Sequence, residues 1–448
     1  MRLSILLSLC VLPALVFLAP PQTAHADAPL TERLLQAGDE IEPEVIALRR
    51  HFHQYPELSN REFETAKRIA EELRAIGLEP ETGIASTGVV AILKAGKPGP
   101  LVALRADIDA LPVTEQVDLP FASKARGTYR GNEVGVMHAC GHDTHIAMLL
   151  GAAKVLANAK EDLAGSVMFI FQPAEEGAPE GETGGAARML KEGLFEGRKP
   201  DAIFGLHTFA NVPAGMIAYR SGPAMASSDR FTITVKGKQT HGSRPWSGVD
   251  PIVTAAQIVM AVQTIASRQV DVTKAPSVIS FGIIDGGVRN NIIPDEVELV
   301  GTIRNFDMGI RDQIHEKLKH TAETVALSAG ATAEVEIHLG YPVTINDPAL
   351  TEQMLPTVQR IVGEKGLIES PLVTGAEDFS YYALETPGLF LFLGGSPPGV
   401  DPMQQPSNHS PLFFVDESTL KTGVNVLTNL VADYLDQAMT SSPCSSPR

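Results

Sequence analysis

Several apolar runs in this chain of 448 residues end abruptly in acids or histidines. The clearest runs, with the polar residues that follow them, are 102–104 with Asp107 and Asp109, 166–171 with Glu175 and Glu176, and 202–206 with His207. Short apolar runs of this kind predict buried strands. Ligands of α/β proteins bind outside the carboxyl ends of such strands. The pattern therefore predicts an α/β domain with a polar site at the mouth of its sheet.

In the middle of the chain, the pattern of apolar positions changes near residue 227 and again near residue 339. Period-2 alternation predicts strands, and a spacing of three to four residues predicts helices. The predicted order is strand, helix, strand, strand, helix, strand, with strands at 230–236, 277–281, 296–300 and 333–337 and helices at 251–266 and 310–327. This order is typical of a ferredoxin-like sandwich. We therefore expect a module at 227–338 inserted into a larger α/β domain made of 27–226 and 339–438.

The first 26 residues differ from the rest of the chain. One arginine precedes an apolar run at 3–19, and Ala24-His25-Ala26 then provides small residues around a cleavage site. This pattern is typical of a secretory signal peptide and predicts export to the periplasm or the outside of the cell. A membrane anchor is the competing interpretation, but Pro13 and Pro20 interrupt the run, which is shorter than the roughly 20 residues that a span needs.

The composition is that of a soluble enzyme, with 44% hydrophobic and 20% charged residues. Loss of the signal peptide would remove one arginine and no acid, so 35 basic and 53 acidic residues would leave a net charge of −18. Such a charge argues against nucleic acid and anionic membranes as partners. Cys140 and Cys444 would be the remaining thiols. We expect no disulfide between them, because 439–448 has the composition of a disordered tail.

The stretch 137–145 contains three histidines, one cysteine and one aspartate within nine residues. Cys140 and His142 are two residues apart and offer a transition metal both sulfur and imidazole nitrogen. Considered alone, the spacing is too short to be specific, since a buried cysteine often acts only as a small hydrophobe. The acids and the histidine that end the apolar runs make a metal site the better interpretation.

These motifs together resemble the two-metal aminoacylase and carboxypeptidase family of amidohydrolases, in particular its branch of hippurate hydrolases and auxin-conjugate hydrolases. The similarity extends from about residue 48 to residue 434, and its motifs lie at 48–53, 56–58, 105–112, 138–142, 172–177, 205–207, 375–379 and 409–411. The resemblance implies a metal-binding catalytic domain with a mixed sheet flanked by helices. The inserted ferredoxin-like α+β module would be its lid and dimerisation domain, so that a homodimer is expected.

The resemblance also implies two divalent metal ions per subunit. It carries five ligands over to this chain, namely Cys140, His142, Glu176, His207 and His409. Zn, Mn, Co and Ni all remain open by ligand type. Cys140 would occupy the bridging position, and Arg105 stands where other branches have a ligating histidine. Asp107 would orient a metal ligand; its alternative interpretation is an ordinary acid at a strand end.

The resemblance implies that Glu175 is the general base. Side chains of adjacent residues in an extended segment point in opposite directions, so that Glu176 would face the metal while Glu175 faces the substrate. A solvated acidic pair is the alternative. His241, in the predicted lid, would stabilise the oxyanion in the partner subunit's active site. Asn291 and Arg304 would bind the substrate carboxylate. Without the resemblance, these three residues would be interpreted as an exposed loop histidine, a turn amide and a solvated strand end.

The sequence thus predicts an exported, metal-dependent amidohydrolase that cleaves the amide bond of an N-acyl amino acid. Hippurate-like, N-acetyl and indoleacetyl conjugates are the candidate substrates. A metallo-carboxypeptidase or dipeptidase is the alternative enzyme. An exported binding protein without turnover is the alternative outside enzymes, and Glu175 argues against it, because a protein that only binds needs no base beside a metal site.

Overall fold

The computed structural model describes residues 28–441. The predicted signal peptide at 1–26 lies outside the described residues, as do residues 442–448 of the predicted tail. The last helix continues to Ser441, so residues 439–441, which the sequence assigned to the tail, are helical. Within the described residues, no helix combines the length and the apolar character needed to cross a membrane.

The α-helices of the described chain are α1 (Leu30–Glu40), α2 (Glu42–Gln54), α3 (Phe63–Ala75), α4 (His142–Asn158), α5 (Gly185–Lys191), α6 (Pro251–Thr264), α7 (Met308–Ser328), α8 (Pro348–Val362), α9 (Phe379–Glu385) and α10 (Leu420–Ser441). The strands are β1 (Glu81–Ile84), β2 (Gly88–Lys94), β3 (Lys97–Asp107), β4 (Arg126–Tyr129), β5 (Asn132–Gly135), β6 (Ala164–Gln172), β7 (Ala202–Pro213), β8 (Ile217–Tyr219), β9 (Gly222–Met225), β10 (Ser227–Lys236), β11 (Thr240–His241), β12 (Ser277–Asp285), β13 (Ile292–Ile293), β14 (Glu296–Asn305), β15 (Thr332–Leu339), β16 (Thr344–Asn346), β17 (Leu367–Glu369) and β18 (Gly388–Ser396).

The larger domain is built on an eight-stranded sheet in the order β1-β2-β6-β3-β7-β18-β8-β17. Strands β6, β3, β7 and β18 run parallel at its centre, whereas β2 pairs antiparallel with β6. Alternate side chains of β3 face opposite sides of the sheet, as the strand period requires. Leu104 belongs to a core cluster that includes buried residues of α1, α2, α3, α4, α8 and α10, and Ala103 belongs to a second cluster that includes residues of α5 and α9. The predicted mixed sheet flanked by helices is therefore confirmed.

The inserted module has a four-stranded antiparallel sheet in the order β12-β14-β10-β15. Helices α6 and α7 pack on it around a core that includes Phe231, Ile258 and Leu318. The chain order β10-α6-β12-β14-α7-β15 is that of a ferredoxin-like sandwich. We call this module the lid. Asp250 starts α6 by accepting hydrogen bonds from the N–H groups of Ile252 and Val253.

The two connections between the lid and the larger domain run side by side. Strand β9, which enters the lid, pairs antiparallel with β16, which leaves it. The N–H of Ser228 donates to the carbonyl of Tyr341 across the same junction, at 2.9 Å. Near this junction, Arg304 of the lid sheet lines one cavity together with Cys140 and His207 of the larger domain.

A buried ion pair stabilises the lid close to this junction. Arg311 of α7 donates from Nε and Nη2 to the carboxylate of Asp229 in β10, at 2.8 and 2.5 Å. His315 Nε2 lies 2.8 Å from the same carboxylate, and the N–H of Gly340 donates to it at 3.0 Å. The Arg311 and Asp229 side chains are only 6% and 0% exposed. Despite burial, these partners hold the pKa of Asp229 well below its ordinary value.

We expect Arg311→Met to lower the free energy of unfolding by about 3–5 kcal/mol, because the buried carboxylate of Asp229 would lose its bidentate partner. Urea unfolding at neutral pH measures the change. Lys236→Met is the matched control, since Lys236 pairs with Glu334 on the same sheet but the two side chains are 44% and 65% exposed. The control should cost at most about 1 kcal/mol. Equal, small losses in both variants would contradict a stabilising role for the buried pair.

Candidate active site

The register of the central strands brings the predicted site residues to one edge of the sheet. Asp107 ends β3 opposite Gln172, the last residue of β6. Strand β7 pairs with β3 from Val102 with Ala202 to Arg105 with Gly205, so His207 follows the paired segment as Asp107 does. Because these strands are parallel, their carboxyl ends meet at the same edge.

Cys140 and His142 reach this edge from the loop that leads into α4. Gly141 precedes the helix in the left-handed region, with φ of +92°. A Cβ at this position would lie 2.3 Å from Thr208 Oγ1, so only glycine lets the loop pass so close to β7. The turn therefore presents the Cys140 thiol and the His142 imidazole to the strand ends.

The five predicted metal ligands are brought together. The ligand atoms of Cys140, His142 and Glu176 lie within 4.8 Å of one another. Cys140 Sγ is 3.4 Å from His207 Nε2, and His409 Nε2 is 3.1 Å from Glu176 Oε1. Four of the five are buried or nearly so, and His409 is exposed.

Hydrogen bonds on the far side of the rings fix two histidine tautomers. His142 Nδ1 lies 2.8 Å from the carbonyl of Asp109, and His207 Nδ1 lies 2.9 Å from the carbonyl of Thr208. A carbonyl oxygen can only accept, so Nδ1 carries a proton in both rings, and in the neutral ring the lone pair is on Nε2. Nε2 of His142 is buried without a hydrogen-bond partner. Oriented lone pairs of this kind are what metal ligands present.

His145 is part of the same cluster but is not free to bind a metal. The N–H of Thr208 donates to His145 Nε2 at 2.8 Å, so the ring proton is on Nδ1. Nδ1 lies 2.5 Å from Asp107 Oδ1 and donates to it. Arg105 Nη1 donates to the other oxygen of Asp107 at 2.8 Å. Asp107 is therefore held on both sides and lies 3.6 Å from His142 Nε2, on the metal side of that ring, whereas the carbonyl of Asp109 holds the far side.

The charges of the site favour a cation. Although burial lowers it, the carboxylates of Asp107 and Asp109 raise the pKa of His142 to about 10. Burial and the carboxylates of Glu176 and Glu175 raise the pKa of the Cys140 thiol well above its ordinary value. A thiolate at this position therefore requires a positive charge beside it. The donor set of sulfur, imidazole and carboxylate fits divalent transition metals.

Glu175 and Glu176 lie in a turn after β6 and not in the extended segment that the sequence predicted, and one carboxylate oxygen of each is 3.9 Å from His142 Nε2. Glu175 also faces other acids. One carboxylate oxygen of Glu175 lies within 4.8 Å of a carboxylate oxygen of Asp107 and of Glu377, and the latter two are equally close to each other. Burial, together with the charges of Glu377 and Glu176, raises the pKa of Glu175 well above its ordinary value. Tyr341 from the lid junction donates its hydroxyl to the Glu175 carbonyl at 2.5 Å. A carboxyl group in this setting can both take and return a proton near neutral pH.

One buried arginine compensates the acids behind Glu175. Arg105 Nη2 lies 2.9 Å from Glu377 Oε1 and 2.8 Å from Asp378 Oδ1. Gln172 accepts from Arg105 Nε at 2.9 Å and donates to Asp378. Burial raises the pKa of Glu377 to about 8, although Arg105 acts in the opposite direction. Arg105 is thus a buried structural cation that pairs with Asp107, Glu377 and Asp378.

The predicted lid residues are divided between two places. Arg304 of β14 lines a cavity of about 620 Å³ together with Cys140, Glu175 and His409. His241 and Asn291 are exposed and do not line this cavity. His241 lies in the two-stranded ribbon of β11 and β13, and Asn291 directly precedes β13. The two residues thus form a unit on the lid, separate from the metal ligands of their own chain.

Several residues that build the site were not singled out by sequence reasoning. Asp109 accepts from the N–H groups of Glu175 and Glu176, at 3.1 and 3.0 Å, and so orients the two carboxylates. Asn408 donates to the carbonyls of Cys140 and Thr208, at 3.1 and 3.0 Å. Asn408 thereby holds the neighbouring His409, whose φ of +72° is unusual for a residue other than glycine. The sequence signal for Asp109 was its position two residues after Asp107. The sequence signal for Asn408 was only its position next to His409.

Comparisons with known proteins agree with this geometry. The sequence model of peptidase family M20/M25/M40 matches residues 103–433. Thermostable carboxypeptidase 1 of Saccharolobus solfataricus is 42% identical over 88% of this chain and 96% of its own length. IAA-amino acid hydrolase ILR1-like 2 of Arabidopsis thaliana is 34% identical over 95% of this chain and 93% of its own length.

Among solved structures, the YXEP protein of Bacillus subtilis, described as a dinuclear metal binding peptidase from the M20 family, superposes with a TM-score of 0.74. It is 34% identical and covers 89% of this chain and 99% of its own. The relatives are named as hydrolases and peptidases, which confirms the predictions of a hydrolytic enzyme and of its family. The protein belongs to peptidase family M20/M25/M40.

Proposed function

We propose that this protein is an exported, homodimeric amidohydrolase that uses two divalent metal ions per subunit to hydrolyse the amide bond of N-acyl amino acids. Hippurate-like, N-acetyl and indoleacetyl conjugates are the proposed substrates. The observation that carries the proposal is the position of Glu175, a buried carboxyl group of raised pKa that lines one cavity together with four of the five metal-type donors, Cys140, Glu176, His207 and His409. A protein that only binds its ligand has no use for such a group.

Cys140, His142, Glu176, His207 and His409 would hold the metal ions. The unpartnered Nε2 of His142 supports this assignment, as does the free, buried thiol of Cys140. The description of the YXEP structure as dinuclear supports two ions. Divalent ions supply Lewis acidity, which polarises a carbonyl group and lowers the pKa of a water. Zn, Mn, Co and Ni are all compatible with these donors.

Glu175 performs the proton transfers in this proposal. Its carboxylate takes a proton from the attacking water and returns it to the amine nitrogen as the amide bond breaks. Burial and the nearby carboxyl groups of Glu377 and Glu176 raise the pKa of Glu175, which favours the uptake of the proton that is later returned. Asp109, which accepts from the N–H of Glu175, and Tyr341, which donates to its carbonyl, hold the backbone of the base in place.

Arg304 sets the direction in which the substrate binds in this proposal. Its guanidinium lines the cavity of the metal ligands, and burial lowers its pKa without removing its charge. A planar guanidinium suits the carboxylate of the amino acid half. Phe209, Met225 and Val373 provide apolar walls in the same cavity and support an apolar acyl group.

His241 and Asn291 lie on the lid ribbon, outside this cavity. We propose that they complete the active site of the partner subunit, where His241 donates a hydrogen bond to the oxyanion. Dimerisation would then be part of catalysis.

Export is proposed from the apolar run at 3–19 and from Ala24-His25-Ala26. Determination of the N-terminal residue of the secreted protein tests this proposal.

The main alternative is a metallo-carboxypeptidase or dipeptidase. The 42% identity to a relative named thermostable carboxypeptidase 1 favours it. Both activities cleave an amide near a free carboxylate, so Arg304 suits either one. The two activities differ in the group that lies on the acyl side of the cleaved amide bond.

Mass-spectrometric screening of the purified protein tests the function directly. N-benzoyl, N-acetyl and indoleacetyl amino acids and a set of dipeptides are each incubated with protein reconstituted with Zn, Mn, Co or Ni. We expect release of the free amino acid from N-acyl substrates, loss of this activity with a chelator, and its recovery on addition of metal. Cleavage of dipeptides alone would support the peptidase instead, and binding without turnover would support the binding protein.

The two adjacent glutamates should respond differently to the same substitution. We expect Glu175→Gln to keep both metal ions while turnover falls by about 10²–10⁴-fold, because proton transfer is lost. Glu176→Gln should lose metal, because a carboxamide is a poorer ligand than a carboxylate. Elemental analysis and amino acid release measure both properties. Equal metal loss in the two variants would contradict the division of roles.

A mixed dimer tests the role of His241. We expect His241→Ala and Glu175→Gln each to be nearly inactive alone, with loss of the oxyanion donor costing about 10²–10³ in turnover. In the heterodimer, one site combines Glu175 of the first variant with His241 of the second and should regain activity. Two different affinity tags allow purification of the heterodimer. Its failure to recover would mean that His241 does not act across the interface.

A further inference from the structure

A tight turn holds His241 in a fixed position on the lid ribbon. The N–H of Arg244 donates to the His241 carbonyl at 2.8 Å, which closes a β-turn over residues 241–244. The N–H of Gly242 donates to the carbonyl of Asn291 at 2.8 Å and ties the turn to the ribbon. A Cβ on Gly242 would lie 3.1 Å from the Asn291 backbone, so this close approach favours glycine.

Two donors from Ser243 point at the same nitrogen of His241. The Ser243 N–H lies 3.0 Å from His241 Nδ1, and Ser243 Oγ lies 2.9 Å from it. A backbone N–H can only donate, so Nδ1 has to be the unprotonated nitrogen. The proton of the neutral imidazole is therefore on Nε2. This conclusion does not depend on the orientation of the serine hydroxyl, which then donates to Nδ1 as well.

The tautomer decides what His241 offers to a ligand. Its side chain is exposed, and no other hydrogen bond to its ring occurs within residues 28–441. With the proton on Nε2, the ring presents an N–H donor to the surroundings. The other tautomer would present a lone pair there and would repel an oxyanion.

We infer that Ser243 is a positioning residue, which fixes His241 as the Nε2–H tautomer and thereby makes it a hydrogen-bond donor to the oxyanion. The inference rests on the proposed function, because it assigns a device to the lid histidine of that reaction. Ser243 itself does not touch the substrate in this account. It acts through its N–H and its hydroxyl on the ring of His241.

The experiment combines a tautomer measurement with kinetics. The purified protein is labelled with ¹⁵N-histidine, and two-bond ¹H–¹⁵N spectra are recorded without added metal at a pH of about 8, above the ordinary titration range of histidine. His241→Gln identifies the signals of His241. We expect the wild-type ring to show a protonated Nε2 and an unprotonated Nδ1. In Ser243→Ala, which keeps only the N–H donor, the signals should move towards a mixture of tautomers.

Kinetics then test whether the tautomer matters. We expect Ser243→Ala to lower kcat by about 3- to 10-fold, the effect of one lost hydrogen bond, with KM nearly unchanged. Ser243→Thr should restore both the spectrum and kcat, because threonine keeps the hydroxyl. Ser247→Ala is the matched control: Ser247 is an exposed serine of the same loop, and we expect no change.

Three outcomes would overturn the inference. A wild-type ring protonated at Nδ1 would contradict the assigned tautomer. Unchanged kcat in Ser243→Ala, with His241→Ala nearly inactive, would remove the role of Ser243 and leave that of His241 in place. Full activity of His241→Ala would instead remove the lid histidine from the proposed reaction, and the inference with it.

Discussion

The burial of several negative charges at one edge of the central sheet is the constraint on which the rest of the site depends. Asp107, Glu175 and Glu377 have ligand oxygens within 4.8 Å of one another, and Glu176 is beside them. Arg105 pairs with Asp107, Glu377 and Asp378. Buried carboxylates are costly unless they are paired or coordinate metals. One guanidinium does not balance this group, so the fold itself creates a place for further positive charge.

This constraint explains the arrangement of the neighbouring neutral donors. The backbone carbonyls of Asp109 and Thr208 take the Nδ1 protons of His142 and His207, which leaves both Nε2 lone pairs facing the acids. His145 shows the opposite arrangement, since the Thr208 N–H occupies its Nε2 and its Nδ1 proton goes to Asp107. Three histidines in one cluster thus have two functions. Two are available to a metal, and one orients the carboxylate beside it.

The sequence predicted the parts of the site that depend on local pattern. Apolar runs that end in Asp107, Glu175 and His207 placed these residues at strand ends. The spacing of apolar positions alone predicted the ferredoxin-like order of strands and helices in the lid. The partners of these residues were beyond such reasoning, because Asp109 and Asn408 act through contacts made only after the chain has folded. The Ser243 hydrogen bonds to His241 depend on the geometry of one turn, which neither composition nor spacing specifies. Helix α10 includes residues 439–441, where the Thr440 hydroxyl donates to the helical carbonyl of Gln437 at 2.9 Å, a contact that composition does not specify.

The central claim is that the excess of buried negative charge is balanced by two divalent ions held at Cys140, His142, Glu176, His207 and His409. Anomalous X-ray diffraction from crystals of the protein reconstituted with Zn or Mn tests it most directly. The account predicts two anomalous peaks per chain, roughly 3.5–4 Å apart, between the side chains of these five residues. A single peak, or peaks that avoid Cys140 and Glu176, would contradict it.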